Sequence, residues 1–375
     1  MSNGVSDRIS RLRSRRNGLD RASVVTQDAR DLINNRSQQR ETWESRVGDK
    51  PFTTYALGAM QEVDPTYTRI SIETAERVSN QLEKRLSAPL EFKLQGSVPL
   101  NVHIRGVSDV DLLVLDTSFL TYARSGVNSV AGHYIAAPGR TSAEVLRVLR
   151  NNSQSALGDA FPAATVDASG AKALKIFGGS LARPVDVVPG HWYDTAAYQS
   201  SKQQHDRAVT ILNAHTMSTI DNWPFLHIQK ITDRCNTTYG GLRKAIRLCK
   251  NLKAEREAEG RSINLSSFDL GSIMYHAEMA NFTAGIVYEL AILAEAQRYL
   301  DHLWIYKEEA RRLMVPDGSR AIFDSEEKFD GLLALSAAMD DLLRNVAQEQ
   351  SAELSVVSQP DLGASRSAVM RSIIV

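Results

Sequence analysis

Cysteine is nearly missing from these 375 residues: Cys235 and Cys249 stand alone, with no Cys-x-x-Cys and no histidine pair at metal spacing. That argues against a disulfide framework and a zinc site, and it fits a reducing cytosol. No run of about 18 apolar residues occurs, so no helix long enough to cross a bilayer is expected. The opening stretch, MSNGVSDRISRLRSRR, lacks the apolar core of a secretory signal. Net charge is absent too: 44 Lys plus Arg face 44 Asp plus Glu, so no global field draws the chain to nucleic acid or anionic lipid. The expectation is a soluble, cytoplasmic protein with no membrane partner. What the chain does have is length and ordinary hydrophobic content, 43% over 375 residues, enough for two domains.

Residues 1–60 read as a basic, polar N-terminal segment. The first 50 hold ten Arg and one Lys, but seven acids, Asp7, Asp20 and Glu41 among them, are interleaved. That mixture reads as a solvated helix or arm rather than a nucleic-acid tail. A long amphipathic helix is expected over 64–87, where Asp-Pro opens it and Ile72, Ala75, Val78, Leu82 and Leu86 share a face. EFKLQ then reads as a strand, Gly96-Ser97 breaks it, and DVDLLVLD is a second strand. A helix over 141–151 and β-rich segments at 172–177 and 183–190 complete an α+β core spanning 61–200. From about residue 200 the texture is helical only, giving a helical domain over 201–348. Its helices are expected near 240–255, after Ser266, and over 285–313 and 325–346. Residues 349–375 read as a flexible tail.

The chemistry concentrates in the core. Side chains at i and i+2 of a strand share a face, so Asp109 and Asp111 project together while Val110 and Leu112 pack the other way. Two carboxylates that close repel unless a cation lies between them, and a hard ion such as Mg²⁺ takes oxygen ligands. Asp186, set in the apolar PVDVVPG, is a third acid of the same kind. If the two strands are neighbours, the three acids converge on one edge of the sheet as a two-metal site for phosphoryl or nucleotidyl transfer. A glycine turn such as Gly96-Ser97 lets backbone N–H groups approach phosphate oxygens, with the hydroxyl as a further donor.

The ordered set L-Q-G-S, eleven residues, D-V-D-L-L-V, and then P-V-D-V-V-P-G resembles the nucleotidyltransferase core of the polymerase-β superfamily. Within it, the chain is similar to the cyclic GMP–AMP synthase-like and oligoadenylate-synthase-like bacterial enzymes, the CD-NTases. The resemblance implies a mixed sheet packed against a C-terminal all-helical domain. It implies that Asp109, Asp111 and Asp186 are the catalytic, metal-holding acids for two Mg²⁺, with Mn²⁺ as a substitute. Gln95, Gly96 and Ser97 would belong to the nucleotide site, Gly96 and Ser97 on phosphate. In the helical half, Lys250 matches the family's phosphate-binding lysine, and Arg243 and Arg247 continue its basic stripe as ligand contacts or as solvated surface. Phe268 matches a base-stacking position, and a core role under the helix start stands beside it. Ser267 either donates to phosphate or caps the helix.

By this resemblance the substrates are NTPs. The product is a cyclic di- or trinucleotide, or a short oligonucleotide, released with pyrophosphate as a second messenger for a separate effector in anti-phage defence (CBASS). A ubiquitin-transferase-like or other regulatory partner for the tail is a further implication. No Cys/His cluster supports a zinc insertion, so direct DNA activation is not expected. The alternatives are transfer to an RNA, protein or small-molecule acceptor, or a degenerate NTP-binding sensor or scaffold.

Overall fold

A computed structural model describes residues 2–24, 26–37, 39–135 and 139–374. Those parts of the N-terminal and tail expectations that fall on residues 1, 25, 38 and 375 lie outside the described residues. Seven strands form one mixed sheet: β1 (Leu90–Gln95), β2 (Val110–Tyr122), β3 (Ala164–Asp167), β4 (Leu174–Gly178), β5 (Val185–Asp194), β6 (Ala208–Asn213) and β7 (Ser218–Asn222). The order is β1-β2-β5-β4-β3, with β6 pairing β5 and β7 pairing β6. β2 and β5 run parallel, and the other pairs are antiparallel.

DLLVLD carries no apolar–polar alternation because both faces of β2 are covered. Leu112 and Val114 pack with Val78 and Leu82 of helix Pro65–Arg85 and with Leu149 and Leu157 of helix Ser142–Ala160. Leu113 and Leu115 pack with Trp192, Val209 and Ile211 on the opposite face. Asp64 caps the first helix by accepting from Thr66 N at 2.8 Å. Thr141 and Glu144 form a reciprocal capping box on the second. That helix runs to Ala160, beyond the segment expected from sequence.

Three expectations change. Residues 208–222, assigned to helical texture, form β6 and β7, because Ala208, Val209, Ile211 and Leu212 have an edge of β5 to cover and are buried there. The first 60 residues are no solvated arm: Leu12, Trp43, Tyr55 and Met60 enter the helical core, and Arg15 and Arg16 are buried against Glu255 and Glu41. The tail is helical over Leu362–Met370, with Val369 fully buried in that same core. A smaller change is that the helix expected over 285–313 becomes Ala291–Ile305 and Lys307–Arg311, broken at Tyr306. Both chain ends thus complete the helical half, whose core also takes Leu100 and Val102 from the β1–β2 connection.

Candidate active site

One row of the sheet carries the chemistry. Gln95 on β1 pairs with Asp111 on β2, Asp111 with Asp186 on β5, and Asp186 with Lys175 on β4. Directly paired residues present their side chains on a common face. Asp109 lies two residues before Asp111, where β2 begins. Gly96 turns the chain at the end of β1 with φ +80°, so close under Asp111 that a Cβ there would lie 2.2 Å from Oδ2 of that acid. Only glycine meets both demands.

The three acids open into a cavity of about 340 Å³ between the sheet and the helical half, whereas Gln95, Gly96 and Lys175 are not part of its lining. Asp109, Asp111, Asp186, Ser97, Lys250 and Ser267 all line it, so residues from both halves meet in one place. Lys175 Nζ is 2.7 Å from Oδ2 of Asp109 and 3.9 Å from Oδ1 of Asp186. Arg21 Nη1 donates to Oδ1 of Asp109 at 2.7 Å. Burial, together with the charges of Asp186 and Asp109, pushes the Asp111 carboxyl up to about 7, and burial raises Asp186 as well. The hydrogen bond to Asp109 holds the Lys175 ammonium above its usual value although burial pulls the other way.

The donor set fits hard divalent cations: it is all oxygen, and burial together with neighbouring negative charge, which a cation would relieve, raises the Asp111 carboxyl. Among the described residues no three acidic, His or Cys side chains are already drawn to ligating distance of one point. Lys175 and Arg21 supply positive charge there instead.

The basic stripe of helix Gly241–Ala258 is neither solvated surface nor free ligand contact. Arg243 donates to Leu100 O at 2.9 Å, Arg247 to Met60 O and Asn101 O at 2.8 Å each, and Lys250 to Val102 O at 2.7 Å. Lys250 still faces the cavity, and burial, with Arg105 and Arg247 nearby, lowers its amine to about 8. Ser267 reaches the cavity and is the first residue of its helix, where the cap is Ser266, in a capping box with Asp269. Phe268 stands apart from the cavity lining: its ring stacks on His227 with centroids 4.3 Å apart, and Arg320 lies 5.4 Å over it. The packing role is therefore the one this conformation displays.

Sequence reasoning missed Arg21 and Lys175. A 174–187 hairpin register would have exposed Lys175, since it faces Asp186; nothing local marks Arg21.

An acid protonated in the folded chain and ionised in the unfolded one loses stability as pH rises from the ordinary carboxylate range to its folded value. Asp111 does so up to about 7. Asp111→Asn should therefore stabilise the metal-free protein at about pH 8, by on the order of 1 kcal/mol after solvent screening, and the gain should shrink to roughly a third of that near pH 5, inside the window, vanishing only below the ordinary carboxylate range. Thermal melts of both proteins in EDTA at the two pH values measure it. Equal differences at both would remove the charge repulsion.

Residues 229–344 match the model of the cGAS/DncV-like nucleotidyltransferase C-terminal helical domain. The chain is 44% identical over 355 residues to the cyclic dinucleotide synthase CdnE of Yersinia aleksiciae, covering 92% of each protein. It is 27% identical over 332 residues to a c-di-GMP synthase of a Lachnospiraceae bacterium, covering 84% of this chain and 92% of that one. Its structure is similar to that of the STING-associated CdnE c-di-GMP synthase from Capnocytophaga granulosa, with TM-score 0.69, 26% identity, and coverage of 90% and 97%.

Proposed function

This chain belongs to the cGAS/DncV-like nucleotidyltransferases, the CD-NTases, and we propose that it joins two nucleoside triphosphates into a cyclic dinucleotide with release of pyrophosphate. The observation that carries this is the meeting of Asp109, Asp111 and Asp186 with Ser97 and Lys250 in one cavity. Relatives named as cyclic dinucleotide synthases support the product class. In each of two rounds a ribose hydroxyl oxygen attacks an α-phosphorus in line. The new O–P bond forms as the bond to the β-phosphate oxygen breaks, and the hydroxyl proton leaves to solvent. The second round closes the ring.

Asp109, Asp111 and Asp186 would hold the divalent cations, Mg²⁺ by the chemistry of the donor set. When bound, such ions supply Lewis acidity at the attacking and departing oxygens. Gly96 and Ser97 offer backbone and hydroxyl donors to the phosphates, and Lys250 adds a fixed positive charge from the opposite wall. Positioning and electrostatics carry the rate. The product acts on a separate effector as a second messenger in CBASS-type anti-phage defence, a proposal that rests on family membership. Among the described residues no helix is long and apolar enough to cross a membrane.

Incubation with Mg²⁺ and all four NTPs, without any acceptor, followed by mass spectrometry should show a cyclic dinucleotide and stoichiometric pyrophosphate. Turnover that appears only after RNA or a protein acceptor is added would overturn the proposal.

A further inference from the structure

Resting on the nucleotidyltransferase reading, we propose that Arg21 is a substrate-binding residue: its guanidinium leaves Asp109 and grips the triphosphate when the nucleotide enters. Both oxygens of Asp109 are committed to side-chain cations, Oδ1 to Arg21 and Oδ2 to Lys175, each at 2.7 Å. A further cation at that acid would stand beside two positive charges already there, and that repulsion favours release of one of them. Lys175 remains within 3.9 Å of Asp186 and keeps an anionic neighbour there. The Arg21 guanidinium then needs a new anion, and the triphosphate is the anion that arrives.

The rest of the cavity's basic wall is engaged elsewhere. Arg105 pairs with Asp20 at 2.8 Å, Lys253 lies 3.5 Å from Glu257, and Lys250 is bonded to the Val102 carbonyl. Arg21 differs in that its partner is one of the three acids. Its contact with Asp109 uses one of five N–H donors, and a planar fork suits phosphate better than a point charge does.

The segment that carries Arg21 is held in place rather than trailing. Gly106 N donates to Arg15 O at 2.9 Å, and Arg15 pairs with Glu255 at 2.5 Å. Gly18, at φ +78°, lies so near the 106–107 backbone that a Cβ would come within 2.7 Å of Val107 Cγ2. A Cβ on Gly106 would reach 2.5 Å from Arg16 O. Two glycines thus let the backbones touch, and the guanidinium is presented at the cavity from a fixed base, with little ordering left for binding.

Calorimetry in Ca²⁺ with ATP and GTP, and with AMP and GMP as comparators, tests it on the full chain. Arg21→Ala should weaken triphosphate binding about tenfold or more, leave monophosphate binding within about twofold, and show Arg21→Lys in between. Arg21 is partly exposed; should Ala disturb the segment in thermal melts, Arg21→Gln is held to the same thresholds. Unchanged or tighter triphosphate binding would overturn the proposal and leave Arg21 as a brake on Asp109. Product formation by the unsubstituted protein is measured in parallel. Its absence strikes the synthase reading, whereas normal synthesis with unchanged triphosphate affinity in Arg21→Ala strikes only the role of Arg21.

Discussion

Asp109→Asn combined with Asp111→Asn is expected to remove cyclic dinucleotide synthesis to below detection, a loss of at least about a thousandfold. Asparagine keeps the size and the hydrogen-bonding oxygen of each side chain but neither charge, so the strand should fold as before. The two substitutions act oppositely on the metal-free protein. Removing the Asp111 charge relieves repulsion from Asp186, while removing that of Asp109 leaves Arg21 and Lys175 without their partner. Melting temperature should therefore move by only a few degrees. Mass spectrometry of products from labelled NTPs with Mg²⁺ is the measurement. Product at a tenth of the unsubstituted level would remove these acids from the chemistry.

Gly96→Ala is expected to reduce kcat about a hundredfold while the protein remains folded. The added Cβ would lie 2.2 Å from Oδ2 of Asp111, a contact that no real methyl tolerates. The carboxylate is the softer party, so the acid moves, and an ångström at a reacting centre costs about that factor. The left-handed backbone adds about 1–2 kcal/mol of strain. Gly132→Ala separates the two effects, because Gly132 also has positive φ, +73°, yet nothing lies within 4 Å of its Cβ position. It should lose comparable stability and keep its turnover. Equal activity losses in both variants would mean that strain, not displacement of Asp111, is responsible.

The acids were legible because their pattern is local. Two carboxylates one residue apart in an apolar run, and a third in another run, announce a shared face before any coordinates do. Gly96 was legible for the same reason, although its contact with Asp111 was not. Arg21 lay hidden since its partner is 88 residues away and nothing near it has a periodic signature. Arg243 and Arg247 were misjudged because helical periodicity says which residues share a face, not what that face meets. Here it meets backbone carbonyls left over at the end of helix Pro51–Met60 and along the β1–β2 connection. The β6–β7 hairpin and the terminal helix escaped for a related reason: both owe their order to a surface built by distant chain.

Helix Gly241–Ala258 clasps residues 100–102 through Arg243, Arg247 and Lys250, and Asn251 reaches Ala59 O at 2.9 Å. That clasp ties both walls of the cleft together, so a change in one is felt by the other. On the proposed cyclic dinucleotide reading, both bonds would be made within that one jointly held cleft.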